Sequence, residues 1–182
     1  MEIHSGAIAD ILVIQPEVHS DDRGFFLETY RRDALEAAGI RADFVQDNHS
    51  HSKKGVLRGL HYQVGRPQGK LVRVAAGEVF DVAVDLRKKS PTFGRWMGEV
   101  LSAENARQIW IPEGFAHGFF VLSDRADVVY KTTDYYFMKG DRALRWDDPE
   151  LAIRWPLIDG ERPILSEKDR NAPLLSEAEL FE

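Results

Sequence analysis

Cysteine is absent from the 182 residues. That single absence excludes disulfide staples, thiolate metal sites and a cysteine nucleophile, and it leaves no trace of a secreted disulfide scaffold. A cytoplasmic location fits such a composition. Also missing is any run near the roughly 20 apolar residues of a membrane span. The opening Met1-Glu2-Ile3-His4-Ser5-Gly6 has no basic stretch leading into an apolar one, so the chain reads as soluble, with no membrane partner. Basic charge is in deficit: 24 Lys and Arg against 30 Asp and Glu leave a net charge of −6. That balance argues against broad affinity for nucleic acid, which needs cations to neutralise phosphates. An anionic ligand would require a local cluster. Arg23, Arg58, Lys70 and Lys168 are candidates, although each alone also reads as a solvated surface charge. Internal repeats, low-complexity tracts and linkers are missing too. Residues 1–182 therefore read as one domain of ordinary size.

What is present is β pattern. In Val79-Phe80-Asp81-Val82-Ala83-Val84-Asp85-Leu86 the apolar Phe80, Val82, Val84 and Leu86 share one face and Asp81 and Asp85 the other, the period-two signature of a half-buried strand. Similar runs occur at residues 11–14, 44–48, 56–63, 70–75, 96–101, 107–111, 115–122 and 127–133. Many short strands divided by turns predict an all-β sandwich or barrel. Only residues 32–38, stopped by Gly39, look helical early on, and a second short helix is expected near Ser166. From about residue 147, Asp147-Asp148-Pro149-Glu150 breaks the strand pattern and predicts a segment that wraps onto the β core.

Four blocks carry chemistry. Arg58-Gly59-Leu60-His61 followed by Gly69-Lys70 sets a base that titrates near neutrality beside cations able to stabilise charge developing on oxygen. A histidine in a strand can equally be structural, bonded to backbone. Asp22 to Tyr30 contains Arg23, Phe26 and Glu28, which suit a diphosphate, a flat base and polar ring edges, or else form an ordinary edge strand. Pro112 and Gly114 mark a turn feeding a strand that holds His117, readable on its own as a buried, satisfied histidine. Ser166-Glu167-Lys168-Asp169 reads as a helix cap.

In combination these blocks, with Tyr130-Lys131-Thr132-Thr133-Asp134-Tyr135-Tyr136, resemble the dTDP-4-dehydrorhamnose 3,5-epimerase family from about Ile11 to Asp169. The resemblance implies a double-stranded β-helix, or cupin-type jelly roll, with short peripheral helices. It implies a cofactor-independent, metal-free isomerase acting at C3 and C5 beside the C4 ketone of a dTDP-4-ketosugar. His61 would be the base, Asp169 its orienting carboxylate, Tyr130 the acid on the opposite face and Lys70 the enolate stabiliser. Substrate contacts would come from Arg23, Phe26, Glu28, Gln46, Asp47, Asn48, Arg58, His117, Lys168, Tyr136 stacking on the thymine, and Asp141. At this last position family members commonly carry glutamate, and the shorter acid bears on nucleotide or sugar preference. A homodimer is implied, with an aromatic of Phe25-Phe26 completing the partner's nucleotide pocket.

Three other readings share the scaffold. An epimerase or ketoisomerase acting on a related ketosugar at one carbon would use much of the same set. A metal-dependent oxygenase would draw on His49 and His51, two apart in a strand, with His117. A non-catalytic carbohydrate-binding jelly roll gives no reason for a base, an acid and a cation together. Strand parity adds one requirement: Arg58 and His61, three apart, point to opposite faces of a regular strand. If both serve one pocket, a bulge is needed between them, and Gly59 is the residue able to form it.

Overall fold

The computed structural model describes residues 1–157 and 161–182. Two antiparallel sheets face each other. The first orders its strands β1 (Glu2–Ser5), β2 (Leu12–Gln15), β10 (Gln108–Ile111), β7 (Lys70–Ala76), β12 (Arg125–Thr132) and β5 (Gln46–Lys53). The second runs β13 (Asp141–Ala143), β6 (Leu57–Gln63), β11 (Phe115–Val121), β8 (Glu78–Asp85) and β9 (Trp96–Ser102). Strands paired in each sheet are seldom consecutive in the chain, so the chain crosses repeatedly between layers and closes as the expected jelly roll. The strands forecast from alternation all form, while three short strands at residues 2–5, 18–21 and 141–143 carried too little pattern to be anticipated.

Period-two alternation decides what fills the space between the sheets. Val13, Val72, Val74, Ile109 and Val128 from the first sheet meet Val79, Ala83, Leu101, Phe119 and Val121 from the second. Each large aliphatic side chain so buried contributes about 1.5–3 kcal/mol. The opposite face of the second sheet is covered as well. Leu151, Trp155 and Leu175 pack on Leu57, Val82, Val84 and Leu86, so the segment after residue 147 does wrap onto the core; its residues 158–160 lie outside the described residues.

This cover corrects the reading of β8 as half-buried. Asp81 and Asp85 are both inaccessible to solvent. The apolar face of β8 lies under the C-terminal wrap, and its Asp81 face looks into the interior between the sheets.

The helix α1 (Arg32–Ala37) sets Leu35 beside Ile14 and Leu71 on the outer side of the first sheet. The short α2 (Glu167–Arg170) begins at Ser166, whose Oγ accepts the Asp169 N–H at 3.1 Å, so the expected cap forms. The hairpin of β3 (Val18–Asp21) and β4 (Gly24–Leu27) is a sheet of its own, with Phe25 and Phe26 70% and 67% exposed.

Candidate active site

The site is built at the point where β6 breaks its ladder. On β11 His117 stands opposite His61 and Phe119 opposite Arg58, so a step of two on one strand answers a step of three on the other. One residue of β6 is therefore extra, which is the bulge that parity required. Gly59 adopts φ of +122°, a conformation open to glycine, and the Gly59–Leu60 peptide is cis. With the extra residue accommodated, Arg58 and His61 fall on the same side as Phe119 and His117.

His61 lines a cleft of about 480 Å³ together with Gln46, Asn48, Lys70, Tyr130, Tyr136, Asp141 and Lys168. Its Nε2 lies 2.5 Å from Oδ1 of Asp169, which is almost wholly buried. Burial would raise the Asp169 carboxyl, but the hydrogen bond from His61, the imidazole's charge, and contacts with Ser166 and the Gly59 backbone outweigh it and hold the acid below its ordinary range. An ionised carboxylate on Nε2–H leaves Nδ1 with the lone pair, and it stabilises the imidazolium once a proton is taken. The helix cap and the dyad are thus both real: capping by Ser166 is what aims Asp169 at the histidine.

Lys70 enters from the other sheet and donates from Nζ to the His61 carbonyl at 3.1 Å. Burial lowers its pKa to about 8, opposed by the charges of Asp81 and Asp141 and assisted by Lys168. It remains mostly an ammonium at neutral pH. Tyr130, on β12, is pushed above its ordinary pKa by burial, so its hydroxyl keeps the proton. Asp141 reaches Lys168 at 2.5 Å and the Tyr136 hydroxyl at 3.3 Å, so the shorter acid still ties the cleft rim together.

Other residues named from the sequence stand elsewhere. Arg58 donates to Ser52 Oγ at 2.9 Å and the His117 ring lies 6.4 Å from that of Tyr130, both beside the cleft and not among its lining. Asp47 alternates away from Gln46 and Asn48 and pairs with Lys131 at 2.9 Å on the outer face. Arg23, Phe26 and Glu28 belong to the hairpin region and do not reach this chain's own cleft; Arg23 binds Asp21. His49 and His51 do share a face, but they converge on Asp127 while His117 holds Asp81. The three histidines of the metal reading are therefore not assembled, and no metal-holding group of three or more His, Asp or Glu occurs among the described residues.

Sequence reasoning missed Gln63, Gln68 and Asp81. Gln63 donates to the Tyr135 carbonyl at 3.1 Å and accepts from the Phe137 N–H at 2.7 Å. Gln68 holds the Asp134 carbonyl at 2.7 Å, and Gln46 accepts the Tyr136 N–H at 3.0 Å. Together they clamp the loop that carries Tyr136. Parity was the available signal, since Gln63 lies two residues beyond His61 on the same face.

A jelly roll that sets a His–Asp pair on one wall of a cleft and a protonated tyrosine and a lysine on the other has the set of groups an acid–base isomerase needs. The chain belongs to the dTDP-4-dehydrorhamnose 3,5-epimerase family, whose model matches residues 5–177. It is similar to the dTDP-4-dehydrorhamnose 3,5-epimerase of Pseudomonas aeruginosa, 59% identical over 96% of each chain. That of Salmonella typhimurium is 56% identical over 97% of this chain and 96% of its own. Among solved structures, the Legionella pneumophila dTDP-6-deoxy-D-glucose-3,5-epimerase in complex with dTDP-4-keto-L-rhamnose superposes with a TM-score of 0.96 at 53% identity, covering 100% of this chain and 97% of that one.

Proposed function

We propose that this isomerase converts dTDP-4-dehydro-6-deoxy-D-glucose to dTDP-4-dehydro-L-rhamnose by inverting C3 and C5. The observation that carries the reading is the placement of base and acid on opposing walls of one cleft. His61 comes from β6 of the second sheet, and Tyr130 and Lys70 from β12 and β7 of the first. Inversion beside a ketone needs a base on one face of the carbon, an acid on the other and a cation at the carbonyl oxygen. His61 Nδ1 removes the proton from C3 or C5, Lys70 stabilises the oxyanion of the enolate, and Tyr130 delivers a proton to the opposite face. General acid–base transfer supplies roughly 10²–10⁴-fold, and a positioned charge is often the larger contribution. Neither nicotinamide nor metal is invoked.

Asp141, Lys168 and Tyr136 at the rim suit the polar and aromatic parts of the nucleotide, with Tyr136 stacking on thymine. Arg23, Phe26 and Glu28 act from the partner of a homodimer. The support is a separate hairpin whose two adjacent phenylalanines stand largely in solvent, an exposed apolar pair of the kind that marks an interaction surface. A cytoplasmic location belongs to the same reading. Incubation with dTDP-4-dehydro-6-deoxy-D-glucose in deuterated buffer, without added cofactor, should place deuterium at both C3 and C5. Label at C3 alone would replace the double epimerase by a single-site enzyme.

A further inference from the structure

Asp81 is a buried carboxylate that the reaction as written leaves unused. Val79 and Ala83, its alternate neighbours on β8, belong to the core between the sheets, so its side chain points into the same interior that the cleft opens from. Its Oδ2 lies 2.8 Å from His117 Nε2. Its Oδ1 is buried with no hydrogen-bond partner. An oxygen left bare in this way costs on the order of 1–3 kcal/mol, more when charged, and calls for a physical reason. The interior contains one: Lys70, 7% exposed, whose ammonium meets only a carbonyl oxygen among its hydrogen-bond partners.

We propose that Asp81 is a positioning residue of the epimerisation site, holding His117 through one oxygen and, through the bare charge of the other, keeping Lys70 an ammonium where the enolate forms. The inference rests on the assignment of Lys70 as enolate stabiliser. Asp81 and Lys70 do not touch, so the attraction acts as a field between two buried groups, where screening by bulk solvent and salt is weak. The groups around Lys70 are His61 on β6, Tyr130 on β12, Asp141 on β13, Lys168 on α2, and Asp81 on β8 with the His117 of β11 that it holds. Asp141 is also negative, but it is engaged by Lys168 and Tyr136. Burial pulls Lys70 below the ordinary lysine range, to about 8, and Asp81 is the larger of the two negative charges that oppose the fall.

The test is the pH profile of kcat between pH 6 and 10 in the full-length protein, with dTDP-4-dehydro-6-deoxy-D-glucose as substrate. Asp81→Asn keeps an acceptor for His117 and removes only the charge. The alkaline limb should move down by about one pH unit, making the variant about fivefold slower relative to the unsubstituted enzyme at pH 8, about tenfold slower at pH 9 and above, and within about threefold of it at pH 6. A loss by the same factor at every pH, or an unchanged profile, overturns the proposal. Lys70→Ala is the control for the underlying assignment: turnover within about tenfold of the unsubstituted enzyme would remove Lys70 from the chemistry whatever Asp81 does. Should Asp81→Asn fail to fold by thermal melting, Asp81→Glu serves instead. It keeps the charge, so the alkaline limb should stay in place even as kcat falls, and a limb that moves down overturns the proposal.

Discussion

At Tyr130 burial does two jobs: it walls the cleft and it holds the phenol above its ordinary pKa, so the group stays a proton donor across neutral pH. In the proposed role of base, His61 faces the opposite demand, and Asp169 holds its imidazole through Nε2. The two roles are separable by isotope. His61→Ala should abolish deuterium exchange at both carbons while nucleotide-sugar affinity stays within about tenfold, because a group acting mainly in the transition state adds little to ground-state binding. Tyr130→Phe should keep much of the exchange and lose inversion, since His61 still removes the proton and returns it to the face it came from. Equal loss of the two rates in Tyr130→Phe would show that the tyrosine is not the opposite-face acid. Both measurements are made on one sample, by mass spectrometry for exchange and proton NMR for configuration.

The element that assembles the site is β6, and its irregularity was legible before its partners were. Alternation marked the strands because each buries one face against a core, and parity alone showed that Arg58 and His61 could share a side only across a bulge. What alternation could not say was which face of β8 met the solvent, because that depends on the distant Leu151, Trp155 and Leu175 that cover it. For the same reason Asp81 read as a surface acid: its partner His117 lies 36 residues away on another strand. The bulge gives a direct test. A Cβ on Gly59 would sit 2.5 Å from Gly118 Cα and 2.8 Å from the His117 carbonyl, both backbone atoms that cannot retreat cheaply, and φ of +122° is barred to a branched side chain. Gly59→Val must therefore reshape the bulge and re-aim His61. We expect kcat to fall about 10²-fold, the cost of an ångström-scale misplacement, with a lower melting temperature. Wild-type kcat in a folded Gly59→Val would mean that the bulge does not aim the base.

At the scale of the whole molecule, most of the residues read from the sequence as one site fall into two separate groups. Gln46, Asn48, His61, Lys70, Tyr130, Tyr136, Asp141 and Lys168 line the cleft, whereas Arg23 and Phe26 line a separate surface on the β3–β4 hairpin. No sequence pattern could separate them, because linear order carries no information on which copy of a chain completes a site. The two-fold dimer proposed above would resolve the division, each hairpin reaching the other subunit's cleft. Mixed dimers test this without reference to a structure of the complex. His61→Ala destroys a cleft but leaves its hairpin intact, and Phe26→Ala weakens a hairpin but leaves its cleft intact. In a heterodimer of the two, one cleft has both a working base and an intact partner hairpin, and the other has neither. Random pairing makes half the dimers mixed with one good site each, so two poorly active homodimers at subsaturating substrate should recover to about a quarter of wild-type activity once subunits exchange. Recovery would be absent if the hairpin served its own cleft, because every site would then retain one defect, and it would be absent equally if the protein were a monomer; sedimentation of the unsubstituted protein at micromolar concentration tells those two apart.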